Sequence, residues 1–250
     1  MQMNRWQAAF CQWNAERLGI PKEEAVRRYQ LSWKTIPGGH GGRLYRKFAV
    51  ISHDIFQVAF DDSPNEVFQS YTFHAWLHLL RMLVYAPPAW PDSHPIMTRF
   101  RAENHVRIVD FGCGLAHKSI SLLEALRRSG GDGELFLYDI PTIRLDLLAY
   151  IVQDFGLKAS FTHCLPEQPV PEFPQCEVII ATEVFEHLHD PMPYLVSMHQ
   201  ALRVGGFLVT GLQEHRKEFM HVTPSLRPLH DRVMSWGYQE ISKHSLYQKK

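Results

Sequence analysis

"RIVDFGCGLAHKS", residues 107–119, is the stretch on which the fold turns. Ile108 and Val109 precede Asp110, Gly112 and Gly114 follow one residue apart, and a run that reads as a helix begins near Lys118. Gly112 and Gly114 let the backbone turn tightly and approach a ligand without a Cβ clash. The helix behind them offers unpaired N–H groups and a partial positive charge, which suit a carboxylate or phosphate. Asp110 adds a negative charge that repels a pyrophosphate and suits a cationic ligand.

Working outward, residues 103–250 alternate apolar strands with amphipathic helices. "VRIVDFG", "ELFLYDI", "KASFTHC", "CEVIIATE" and "FLVTGL" read as strands, and "HSLYQK" as a last one. "KSISLLEALRRSG", "IRLDLLAYIVQDFG" and "TPSLRPLHDRVMSWGY" read as helices. A fourth helix, "DPMPYLVSMHQALRVGG", takes Asp190 as N-cap, Pro191 at its first position and Gly205 at its end. This alternation predicts an α/β domain built on a mainly parallel, doubly wound sheet covered on both faces.

Residues 1–102 show no βα alternation. "MNRWQAAFCQWNAERLG" and "PKEEAVRRYQLSW" read as helices, the first closed by Gly19 and the second opened by Pro21. "SYTFHAWLHLLRMLVY" reads as a packed helix, and "APPAWPDSHP", with its four prolines, as an irregular linker. The reading is therefore a helical N-terminal region, 1–102, and an α/β domain, 103–250.

Lys+Arg and Asp+Glu balance at 26 each in a chain of 250 residues. That balance supplies no overall field for nucleic acid or an anionic membrane. No apolar run reaches the ~18 residues of a membrane span. No continuous apolar h-region of a secretory signal opens the sequence. Cys11, Cys113, Cys164 and Cys176 are widely spaced without a CxxC pair, so they read as reduced thiols of a cytoplasmic protein, and no metal site is assigned.

Two ligands compete for the glycine turn. A dinucleotide fingerprint needs a third glycine where His117 stands, too large for the close helix–strand contact. Asp139, ending the second strand, can accept hydrogen bonds from a ribose diol. A nucleoside carrying a sulfonium and an amino-acid tail suits the turn, Asp110 and Asp139 together. The order of "VDFGCG", "LYDI", "CEVIIATEVFEHLHDP", "LRVGGFLVTG" and "HVTPSLRPLHDRVMSWGY" resembles the class I S-adenosylmethionine-dependent methyltransferases, over roughly the last three-fifths of the chain.

That resemblance implies a Rossmann-like methyltransferase sheet and S-adenosylmethionine as cofactor. It implies that Gly112 and Gly114 lie against the methionine part and Asp110 near its ammonium. Asp139 would bind the ribose hydroxyls and Ile140 pack on the adenine, while Thr182 and Glu183 border the methionine and sulfonium. There are two departures from the family pattern. Ala116 stands where many relatives have a third glycine. "THCLPEQ" lacks the aspartate many relatives use for the adenine amino group, so that role passes to Cys164, Leu165 or backbone groups.

Methyl transfer to a hydroxyl benefits from a base of near-neutral pKa, and histidine is the natural choice. Of 15 histidines, His187 follows the fourth strand and His221 the fifth, at one edge of the sheet. His40 lies within "GGHGG", a lid or a connector. Tyr71 and His74 sit on the helix expected over residues 70–85, where a cap over the site would meet a substrate. The alternative role for that region is packing or a homodimer contact. The expected activity is methyl transfer to a small-molecule acceptor, a hydroxyl of a sugar or specialised metabolite. N-methylation, a cofactor-binding scaffold without transfer, and a nicotinamide-dependent reductase are the alternatives.

Overall fold

A computed structural model describes residues 3–35, 83, 88–165, 167–214 and 221–250. Their helices are α1 (Arg5–Leu18), α2 (Lys22–Thr35), α3 (Pro95–Phe100), α4 (His117–Arg128), α5 (Ile143–Asp154), α6 (Met192–Ala201) and α7 (Arg227–Ser235). Their strands are β1 (Val106–Phe111), β2 (Gly133–Asp139), β3 (Ala159–His163), β4 (Cys176–Ala181), β5 (Leu202–Thr210), β6 (Gln239–Ser242) and β7 (Leu246–Gln248). No helix among the described residues is long and apolar enough to cross a membrane.

The chain divides into two compact units, residues 1–86 with 142–157, and residues 87–141 with 158–250. In the first, a capping box of Asn4 and Gln7 opens α1 and Gly19, at φ 62°, closes it. Trp6 meets the Phe155 ring edge-on at 5.5 Å, and the Arg5 guanidinium lies 3.2 Å from the centre of the same ring. Phe10 packs on Tyr29 of α2 at 5.6 Å. The helix after β2, α5, thus joins the N-terminal helices, although its periodicity reads as that of any helix in a βαβ series.

The second unit is a seven-stranded sheet of order β3-β2-β1-β4-β5-β7-β6. β1 to β5 pair in parallel, and β7 runs antiparallel to both neighbours. The order reverses between β1 and β4, where an open parallel sheet leaves its ligand crevice. Val109, Phe111, Ile179 and Leu208 share one core cluster with Leu195 and Met198 of α6 and Leu229 and Val233 of α7. Strand alternation turns Asp110 to the opposite face, where it meets Ser119 of α4.

Three details differ from the sequence reading. Pro191, not Asp190, caps α6, which begins at Met192 without a side-chain cap bond. β5 starts at Leu202, so Gly205 (φ 81°) lies within it, at a register shift between Cys176 and Val178 of β4 that takes up the extra residues. Two strands, β6 and β7, stand where one was expected, and α3 starts at the last proline of the proline-rich crossing, with the His94 ring accepting from the Ile96 amide.

Candidate functional site

The parallel strands β1, β2, β3 and β4 deliver their carboxyl ends to one edge. After β1, Gly112 (φ 67°), Gly114 (φ 56°) and Ala116 (φ 54°) all adopt the left-handed conformation. The Gly112 and Cys113 amides donate to the Tyr138 carbonyl at 2.8 and 3.1 Å. The Gly114 amide donates to Asp139 Oδ2 at 2.6 Å, and the Ile140 amide to Asp139 Oδ1 at 2.7 Å. The Asp139 carboxylate therefore ties the glycine turn to the end of β2. A carboxylate oxygen can accept more than one hydrogen bond, so a ligand hydroxyl can share this group with the two amides. The Cys164 amide, after β3, donates to the Asp139 carbonyl at 2.9 Å, which brings Cys164 to the same strand ends. Burial, with Asp139 nearby, pushes the Cys164 thiol up to about 12, so it stays protonated. Leu165 follows, and its amide donates to Gln168 Oε1 at 3.1 Å.

Asp110 is buried and accepts a 2.5 Å hydrogen bond from Ser119 Oγ. Burial pushes its carboxyl up to about 7, against the Ser119 bond and the Lys118 charge, with Asp139 adding to the rise. Burial lowers Lys118, against the pull of Asp110 and Glu183, and brings His117 down to about 4, which leaves that imidazole neutral.

The sign of the Asp110 shift gives a first prediction. An unfolded aspartate ionises near pH ~3.9, whereas Asp110 in the folded chain holds its proton to about 7. Stability then falls as pH rises across that window and levels above it. Without cofactor, the melting temperature of Asp110→Asn should gain on the parent as pH climbs from about 5 to about 8. Parallel melting curves for the two chains would remove the buried, protonated Asp110 from the account.

At the end of β4, Thr182 is half-buried and Glu183, at φ 56°, is exposed. Val184 lies against Gly112, where any added β-carbon would collide with its Cγ2 methyl. The turn Phe185–His187 follows. Here the chain after β5 returns, with the Val222 and Thr223 amides donating to the Glu186 carbonyl at 2.8 and 3.1 Å. Thr223 Oγ1 donates to the Leu188 carbonyl. His187 and His221 thereby meet, their rings 5.0 Å apart and nearly perpendicular. Buried Glu186 adds a carboxylate, and the three donor atoms lie within 4.8 Å of one another. Such a set can pass protons or hold a divalent cation.

The structure therefore brings Asp110, Gly112, Gly114, Asp139, Ile140 and Cys164 to connected strand ends, and His187 to His221. His40, Tyr71 and His74 lie outside the described residues. Sequence reading left out Ser119, Val184 and Glu186 as members of the site. Only Glu186 carried a signal, in the "EHLHD" that follows an expected strand.

A known family, described as a methyltransferase domain, matches residues 68–250. The chain belongs to this methyltransferase family. S-adenosylmethionine is the cofactor that membership implies. The ubiquinone biosynthesis O-methyltransferase of Roseobacter denitrificans is 31% identical over 145 residues, 55% of this chain and 53% of that protein. The protein of the same name from a Ruegeria species is 30% identical over 104 residues, 42% of this chain and 40% of its own. The chain thus spans about half the length, or less, of these curated relatives. Among solved structures, the [4+2]-cyclase SpnF aligns with a TM-score of 0.50 at 14% identity, covering 71% of this chain and 73% of its own. YcgJ from Bacillus subtilis aligns with a TM-score of 0.45 at 18% identity, covering 59% and 68%. At 14% identity the SpnF alignment bears on the fold alone.

The donor set fits the methyltransferase cofactor. Asp139 has acceptor capacity for a diol, and buried Asp110 gains from a cation beside it. The left-handed turn brings backbone, not side chain, to the crevice.

Proposed function

We propose that this chain methylates a hydroxyl oxygen of a small molecule, with a sugar or a specialised metabolite as the acceptor class. When bound, S-adenosylmethionine supplies a methyl group already activated by its sulfonium. Asp139 holds the ribose hydroxyls, with Ile140, Cys164 and Leu165 beside the adenine. Gly112, Gly114, Thr182 and Glu183 border the methionine part, and Asp110 faces its ammonium. The observation that carries an oxygen acceptor is the meeting of His187 and His221 beside buried Glu186, at the edge where the glycine turn ends. A neutral imidazole there can take the proton that a hydroxyl must lose. The names of the similar curated proteins, which are O-methyltransferases, point the same way.

The remaining work is alignment and exclusion of water. The N-terminal region, residues 1–102, is the candidate for that cover, with His40, Tyr71 and His74 toward the acceptor. One kinetic series checks both assignments, once a panel of sugars, phenols and amines has given a methylated product. Replacing a general base costs about 10²–10⁴-fold, so His187→Ala or His221→Ala should lower kcat by that order at unchanged cofactor affinity. His40→Ala, Tyr71→Phe and His74→Ala should lower kcat/KM for the acceptor. An amine as the only methylated acceptor overturns the oxygen reading. Cofactor binding with no methylated product across the panel favours the scaffold alternative.

A further inference from the structure

A second group of ligating side chains lies apart from the residues assigned to methyl transfer. His230 is on α7, Glu240 on β6, and His244 in the turn between β6 and β7. Glu240 Oε1 is 3.6 Å from His230 Nε2 and 3.6 Å from His244 Nδ1. Those separations are too long for hydrogen bonds. Both nitrogens are nonetheless sealed from solvent and have no hydrogen-bond partner. The Tyr247 hydroxyl is buried beside the same carboxylate, on a ring 6.1 Å from that of His230. Buried polar groups are ordinarily satisfied, so two such nitrogens facing one carboxylate call for a shared partner.

The spacing indicates which partner. Around a tetrahedral ion with bonds of about 2.0–2.1 Å, neighbouring ligand atoms stand about 3.4 Å apart. The two histidine–carboxylate separations are within a few tenths of that value, and all three donor atoms lie within 4.8 Å. Two imidazoles and one carboxylate also make a donor set suited to zinc. A supporting contact is in place. The His244 amide donates to Glu240 Oε1 at 2.6 Å and fixes the carboxylate. His244 holds φ 55°, a left-handed conformation that turns its ring back toward Glu240 at the end of the hairpin.

The geometry points to a zinc-class cation site formed by His230, Glu240 and His244, clamping α7 to the β6–β7 hairpin. This edge of the sheet has only short strands, and a bound ion would cross-link it. It would also stiffen α7, at the end of the segment that carries His221.

The test uses the full chain, stripped with a chelator and titrated with zinc and then cobalt. We expect one ion bound at this site, a rise in melting temperature, and the visible bands of tetrahedral cobalt. Outer-shell changes at metal sites cost about 10–100-fold, so loss of a ligand in His230→Ala or His244→Ala should weaken zinc affinity by at least about 100-fold. Glu240→Gln, which keeps the shape, should weaken it similarly. His187→Ala separates this site from the other group able to hold a cation, and should leave the cobalt spectrum of the hairpin site intact. Circular dichroism and cofactor affinity show that the variants are folded. Zinc binding no tighter in the parent than in folded His230→Ala and His244→Ala overturns the proposal. So does binding lost in His187→Ala alone.

Discussion

Gly112→Val should leave a chain that binds no cofactor and unfolds far more readily than the parent. Two costs meet at this position. A residue with a β-carbon at φ 67° pays about 1–2 kcal/mol for the left-handed conformation, more when β-branched. Its side chain must also displace Val184, and overpacking of this kind costs about 1–3 kcal/mol. The sum, roughly 2–5 kcal/mol, is a large fraction of the ~5–15 kcal/mol that holds a typical fold together. Denaturant midpoints measure the loss, and calorimetry with S-adenosylhomocysteine measures binding. The two costs can be separated. Gly112→Ala with Val184→Ala should recover the crowding cost and keep the conformational one, a coupling that a double-mutant cycle reads directly. A Gly112→Val chain with the parent's midpoint and affinity would contradict both the strained turn and its place in the site.

Asp139→Ala carries the second large effect, and it acts in two ways. The substitution removes the proposed acceptor for the ribose hydroxyls. Bonds to a charged acceptor contribute about 1.5–3 kcal/mol, so S-adenosylhomocysteine affinity should fall roughly 10- to 150-fold. It also leaves the Gly114 and Ile140 amides without the carboxylate that now receives them. Buried donors stripped of partners cost about 1–3 kcal/mol each, so stability should fall as well. Asp139→Asn retains one carbonyl acceptor and should show smaller losses in both measurements. If calorimetry finds full affinity in a folded but destabilised Asp139→Ala chain, the residue only braces the turn.

Local chemistry made much of this protein readable in its sequence. The strands β1, β2 and β4 are largely apolar and buried, and hydrophobic pattern marks them, whereas β3 is a short, mostly polar strand around Phe161. Gly112, Gly114 and Asp139 sit at strand ends, where a left-handed turn and a buried acceptor require those residue types. The same holds for α1, whose Asn4 cap and Gly19 stop are contacts of near neighbours. Gly205 marks where such reasoning fails. Its positive φ suits a helix end and a strand irregularity equally, and the register of β5 against β4 selects the second.

Composition, helical and strand period, and the glycine–acid turn were determined by the sequence itself, because each depends on residues a few positions apart. The tertiary structure decided what those pieces meet. It turned Asp110 toward Ser119, since the partner helix and not the strand sets which face is buried. It placed α5 with the N-terminal helices, through the seating of Trp6 and Arg5 on Phe155. It brought His187 to His221 and gathered His230, Glu240 and His244, because pairing between distant segments is fixed by sheet order and crossover, which no local period encodes.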